Sequence, residues 1–153
     1  MVSRATFDSP LGLITVTEED NHIRSLDWGG WARCASSSKL LAEAGAQLDA
    51  YFAGRLRRFD LPISFPSTPF LHGVMEALNA IRYGDTVTYG EIAAYVQASP
   101  QAVGRACGAN PVPIIIPCHR VLGASGLGGF SGRGGVETKV WLLRHEGAAG
   151  LLL

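Results

Sequence analysis

The stretch NPVPIIIPCHRVLG, residues 110–123, sets a thiol, an imidazole and a guanidinium side by side as Cys118, His119 and Arg120. A thiolate is a soft nucleophile, and an imidazole is the side chain best matched to moving a proton near neutral pH. The three isoleucines ahead of them, Ile114 to Ile116, read as a buried apolar strand that delivers a nucleophile to a fixed position. On the residues alone, an inert core thiol is the more ordinary reading of Cys118. Neighbouring side chains on a strand point to opposite faces. Direct contact between Cys118 and His119 is therefore not expected unless the chain bends there.

The whole chain narrows what such a nucleophile could serve. Its 153 residues are 47% hydrophobic and 17% charged, which describes a globular chain and not a disordered one. No apolar run reaches the ~20 residues of a membrane span. The start, MVSRATFDSPLG, lacks the pattern of a secretory leader. Three cysteines (Cys34, Cys107 and Cys118) form no CxxC pair, which argues against a disulfide framework or a zinc knuckle and for the reducing cytoplasm. Net charge is zero, but unevenly laid out. Residues 1–53 carry four basic and seven acidic side chains, residues 54–97 four of each, and residues 98–153 five basic and two acidic. The positive excess thus falls in the third that holds Cys118, a weak pointer to a polyanion.

Two kinds of element must position the chemistry. RATFDS, LITVTEED and HIRSLDW are short β-forming runs separated by turn signals, which predicts an antiparallel meander. In SSSKLLAEAGAQLDAYFAG, apolar residues recur every three or four positions from Leu40 to Phe52, predicting a serine-capped amphipathic helix closed by Gly54. RLRRFDLPISFPS reads as a proline-punctuated linker. The first unit is expected over residues 1–60. The second, over 65–147, is helical. STPFLHGVMEALNAIRYGD predicts a helix with Pro69 early and Phe70, Val74, Leu78 and Ile81 on one face. TYGEIAAYVQA has Thr88 and Glu91 at capping-box spacing, and SPQAVGRACGAN has Ser99 as cap before Pro100. Together they predict a helix-turn-helix. Gly104 and Gly108 in its second helix serve either tight helix packing or close approach of something bulky. GASGLGGFSGRGG, seven glycines in thirteen residues, reads as a loop or wing that fits no phosphate-binding pattern. VETKVWLLRHEG predicts a last helix with Val136, Val140 and Leu143 on its buried face.

NPVPIIIPCHRV, with TYGEIAAY upstream and GGFSG and TKVWLLRHEG downstream, resembles the O6-alkylguanine-DNA alkyltransferases. The resemblance is close over residues 65–147 and covers the first sixty by general layout. It implies an α+β fold, a ribonuclease-H-like first domain and a winged-helix-like DNA-binding second one. It also implies transfer of an alkyl group from guanine O6, and from thymine O4, to Cys118. No cofactor or metal is needed, the thioether is not regenerated, and the protein acts as a monomer on double-stranded DNA. His119 becomes the base, acting through a water, and Glu146 the carboxylate that holds it. Asn110 orders the turn near the site. Guanine must leave the stack to be reached. Tyr89 then contacts phosphate and base, the Val121 main chain reads the guanine edge, and the Ser131 amide reaches O6. One position departs from the pattern. Where the family has an arginine early in the recognition helix to fill the emptied stack, this chain has Gln101. Arg105, four residues on, lies on the same helix face and could replace its charge.

Three rivals fit less well. A lesion-binding relative without transfer lacks the motif cysteine, which is present here. Cysteine hydrolases hold Cys and His far apart in sequence. Cys107, Cys118 and His119 match no common zinc spacing.

Overall fold

The computed structural model describes residues 2–30, 38–123, 126–127 and 135–148. The chain divides into two compact units, 1–66 and 67–153.

The first unit begins with three antiparallel strands, β1 (Val2–Phe7), β2 (Ile14–Glu19) and β3 (His22–Trp28), in sequence order. Asp20 and Asn21 both take positive φ in the β2–β3 turn, the conformation that a two-residue hairpin asks for. Ile14, Val16 and Ile23 are fully buried on one face. Helix α1 (Lys39–Phe52) covers that face with Leu41, Ala44, Leu48 and Tyr51. The Ser38 hydroxyl accepts from the Leu41 N–H at 3.2 Å, satisfying an orphan donor of the first turn. The segment read as a linker is not free. Ile23 N–H donates to Pro62 O at 2.7 Å and Ser64 N–H to Ile23 O at 3.0 Å, so Ile63 pairs alongside β3.

The second unit is built on capped helices. Helix α2 (Pro69–Asn79) starts behind Thr68 and buries Val74 and Leu78. A two-residue strand β4 (Val87–Thr88) leads into α3 (Tyr89–Val96), and Ser99 caps α4 (Pro100–Gly108). Both capping hydroxyls do their expected work: Thr88 accepts from Glu91 N–H at 3.0 Å, Ser99 from Ala102 N–H at 3.1 Å. Helices α3 and α4 pack together as the predicted helix-turn-helix. A Cβ added at Gly104 or Gly108 would meet nothing within 4 Å, so tight helix packing is not why α4 carries glycine. The last helix, α5 (Val136–His145), differs from expectation. Its fully buried residues include Lys139, Leu142 and Leu143, whereas Val136 is 41% exposed. Phe70, also expected inside, is 39% exposed. Both sit in the first turn of their helices, before the buried stripe begins.

The isoleucine run is not a strand. Pro111, Pro113 and Pro117 carry no N–H, so the segment cannot sustain a ladder. It makes only an isolated bridge between Pro113 and Ile116. Ile114 sits at φ +72°, a costly conformation for a β-branched residue, of order 1–3 kcal/mol. The Asn110 side chain offsets that strain. Its Oδ1 accepts from Val112 N–H and its Nδ2 donates to Ile116 O, each at 2.9 Å. The chain then enters a single 3₁₀ turn, Cys118–Arg120, and ends in β5 (Val121–Leu122), parallel to β4. Asn110→Ala should therefore cost roughly 1–3 kcal/mol of unfolding free energy in a denaturant titration, since two backbone groups lose their partner. A loss within error of zero would show that the loop does not depend on Asn110.

Candidate active site

The 3₁₀ turn decides how Cys118, His119 and Arg120 are displayed. Successive side chains lie about 120° apart around a turn with three residues per repeat, not on opposite faces. All three are buried, and His119 is wholly so. No hydrogen bond joins Cys118 to His119 among the described residues.

His119 instead turns to the end of α5. Its Nε2 lies 2.7 Å from Glu146 Oε2. Arg120 Nε donates to Glu146 Oε1 at 2.7 Å and its terminal nitrogen to Oε2 at 2.9 Å. The other terminal nitrogen of Arg120 donates to Ile81 O at 2.7 Å, and the guanidinium lies 5.7 Å from the Tyr83 ring centre. Tyr83 closes the back of the cluster by donating to His145 O at 3.3 Å. Glu146 sits where the α5 dipole is negative, an unfavourable position for a carboxylate. The hydrogen bonds offset that cost.

The electrostatics follow. Burial pushes the Glu146 carboxyl up, but the hydrogen bonds from His119 and Arg120, with the Arg120 charge, outweigh it and bring its pKa down to about 2. Glu146 is a carboxylate at neutral pH. Burial lowers the His119 pKa, against the upward pull of Glu146, so the imidazole is neutral. A carboxylate cannot donate, so Nε2 carries the ring hydrogen and Nδ1 keeps its lone pair. Nδ1 is buried and has no hydrogen-bond partner among the described residues. The ring is thus oriented as a base with its basic nitrogen unspent.

Cys118 rests as a thiol. Burial raises its pKa, and the Asn110 side chain, the Lys139 charge and its own backbone N–H pull it partly back. Thiolate formation therefore needs a base at the moment of reaction. Around the sulfur stand three further groups. Burial pushes Tyr89 up to about 12, with Cys107 and Cys118 adding to the shift. Cys107 likewise rises to about 12 through burial and then Cys118. Lys139, wholly buried, falls to about 8 through desolvation, while both cysteines resist the fall. Lys139 Nζ donates to Val121 O at 2.6 Å and lies 5.6 Å from the Tyr89 ring centre.

Of the residues singled out in sequence, Cys118, His119, Glu146 and Asn110 come together in this cluster, with Tyr89 and Val121 beside it. Gln101 and Arg105 are exposed on α4, apart from the buried cluster. Ser131 lies outside the described residues. Arg120 and Lys139 were not singled out for the site, although both are buried within it. The signal that could have found them was their spacing: Arg120 in the motif itself, Lys139 one α5 stripe from Glu146. A cavity of about 640 Å³, lined by Ile81, Arg82, Gly84 and Tyr95 among others, includes none of Cys118, His119 or Tyr89. Among the described residues no group of three metal-ligating side chains is present.

The chain is similar to known proteins over nearly its whole length. Residues 69–148 match the 6-O-methylguanine DNA methyltransferase DNA-binding domain, and residues 2–65 the ribonuclease-like domain of the same proteins. The chain is 40% identical over 158 residues to a methylated-DNA–protein-cysteine methyltransferase of Mycolicibacterium paratuberculosis, covering 95% of this chain and 93% of that one. It is 41% identical over 155 residues to the constitutive one of Bacillus subtilis, covering 92% and 93%. In structure it resembles Mycobacterium tuberculosis OGT in complex with DNA, with a TM-score of 0.81 and 38% identity over 95% of this chain and 92% of that one. The chain belongs to the 6-O-methylguanine DNA methyltransferase family.

The shared carboxylate makes a pH prediction. Glu146 titrates near 4.5 when unfolded and near 2 when folded. A depressed carboxyl pKa stabilises the fold above the unfolded value and is lost as pH falls through the folded one. The contribution is on the order of 3 kcal/mol. Unfolding free energy should fall as pH drops from 4.5 to 2, and Glu146→Gln should flatten that window while lowering stability at pH 7. An unchanged slope in the variant would mean that Glu146 is not held as drawn.

Proposed function

We propose that this protein repairs DNA by moving an alkyl group from O6-alkylguanine to its own Cys118, once per molecule. The observation that carries the reading is the juxtaposition of Cys118 with a neutral, Glu146-held His119 in a chain of this family. Cys118 Sγ forms a bond to the alkyl carbon as the carbon–O6 bond breaks. The released electron pair stays with guanine, which takes up one proton. The thiol gives one up to His119, whose imidazolium returns it to solvent water as guanine draws one from there, so protons balance. His119 Nδ1 is the acceptor, and because no direct bond joins it to Cys118, the proton passes through a bridging water. Arg120 keeps Glu146 ionised and Asn110 steadies the sulfur. No cofactor enters any of these steps. O4-alkylthymine presents the same alkyl–oxygen bond and is a second substrate.

The base must be flipped to reach a buried sulfur. Tyr89 and Val121 stand beside Cys118 and are assigned to the base, with Ser131 assigned to O6. Helix α4 lies against the duplex, with the open space at Gly104 and Gly108 available to it. The partner is double-stranded DNA carrying the lesion, met by a monomer. Among the described residues no helix is long and apolar enough to cross a membrane. The cysteine usage favours the cytoplasm. The alternative, a relative that binds lesions with weak or no transfer, is disfavoured by the presence of Cys118 and an intact base.

Incubation with an oligonucleotide carrying O6-methylguanine should add one methyl mass at Cys118 and then stop at one lesion per molecule. Modification at Cys34 or Cys107, or repeated turnover, contradicts the reading.

Gln101 tests the flipping step. Glutamine is shorter than arginine and uncharged, so it fills the stack and attracts phosphate less well. Gln101→Arg should tighten duplex binding and speed repair, with a steeper loss of affinity as salt rises. The gain in rate should shrink on single strands. An unchanged duplex rate would mean that Arg105 already serves, or that flipping does not limit repair.

A further inference from the structure

Lys139 is a buried basic group of the cluster to which the reaction above gives no step. It is wholly buried, on α5, and its Nζ meets groups that belong to other elements. One is the carbonyl of Val121 at 2.6 Å, the first residue of β5 and the first after the Cys118–Arg120 turn. Another is the Tyr89 ring at 5.6 Å, the first residue of α3. β4 and β5 pair in parallel through Val87–Val121 and Thr88–Leu122, so Tyr89 and Val121 leave the same short ladder. Lys139 sits where α5 closes over it.

We propose that Lys139 is a positioning residue for base recognition: its ammonium fixes the direction of the Val121 carbonyl that accepts from the guanine 2-amino group. The proposal rests on the reading of Val121 as a group that faces the flipped base. A carbonyl oxygen has two acceptor directions. Lys139 occupies one, which leaves the other at a fixed angle for a donor on the base. Burying an ammonium costs far more than a single hydrogen bond returns. A residue kept only to fill space between α5 and β5 would be apolar, and Met, one atom shorter, would fill most of it. Lysine at this point therefore serves something that needs the donor.

The 2-amino group distinguishes guanine from hypoxanthine, so the test compares two lesions. Transfer rates are measured on oligonucleotides carrying O6-methylguanine or O6-methylhypoxanthine, for the wild type, Lys139→Met and Lys139→Gln. Met removes the donor and keeps an unbranched apolar chain one atom shorter. Gln removes the charge and shortens the reach, and serves if the Met variant does not fold. The wild type should prefer O6-methylguanine by roughly 3–10-fold, the size of one hydrogen bond between neutral groups. Each folded variant should bring that ratio to within about twofold of one. A purely structural lysine would lower both rates and leave their ratio unchanged, and that result overturns the proposal. A wild type that does not distinguish the two lesions overturns the reading of Val121 instead, and the proposal with it.

Discussion

His119 and Arg120 hold the Glu146 carboxylate through hydrogen bonds from the imidazole and from both edges of the guanidinium fork, in a buried space. Each partner alone would be unstable there. An unpaired buried guanidinium or carboxylate costs several kcal/mol. A histidine without a carboxylate on Nε2 could take either tautomer. Together they settle into one arrangement: a carboxylate, a guanidinium, and an imidazole with its lone pair on Nδ1. Arg120 reaches onward to the carbonyl of Ile81, and Tyr83 reaches to that of His145. The cluster is thus tied to the chain on both sides.

The rest of the second unit is arranged around that cluster. Cys118, His119 and Arg120 must diverge from one turn. A 3₁₀ turn achieves this and a strand cannot. Three prolines and the strained Ile114 prevent the strand, and Asn110 holds the resulting loop in place. The helix-turn-helix needs none of this. It is stabilised by its own caps, and its outer face, with Gln101 and Arg105, is free for a separate task.

The elements that obey local rules were legible from the sequence. The meander, the Ser38, Thr88 and Ser99 caps and the helix pair rest on turn residues and capping hydroxyls, which act within four residues. The isoleucine run was misread because hydropathy sees three apolar side chains and not the missing N–H groups around them. The buried face of α5 was misread for a related reason. Lys139 and Glu146 lie on the same stripe as Leu142 and Leu143, and a pattern built on apolar residues assigns both charges to the surface. Resemblance draws Glu146 into the site, but the sequence assigns no role there to Arg120 or Lys139. Their partners, a carboxylate 26 residues away and a carbonyl 18 residues away, become visible only once the chain is folded.

The central claim is that His119 is a neutral base with its hydrogen on Nε2. Nitrogen NMR of the isotopically labelled protein reads this directly, because protonated and lone-pair ring nitrogens resonate far apart. At pH 7 the account predicts a protonated Nε2 and a lone pair on Nδ1. The signals should convert to the doubly protonated ring only at a pH below that of a free histidine, whose pKa is about 6.5. A ring doubly protonated at pH 7, or one with its hydrogen on Nδ1, would contradict the account.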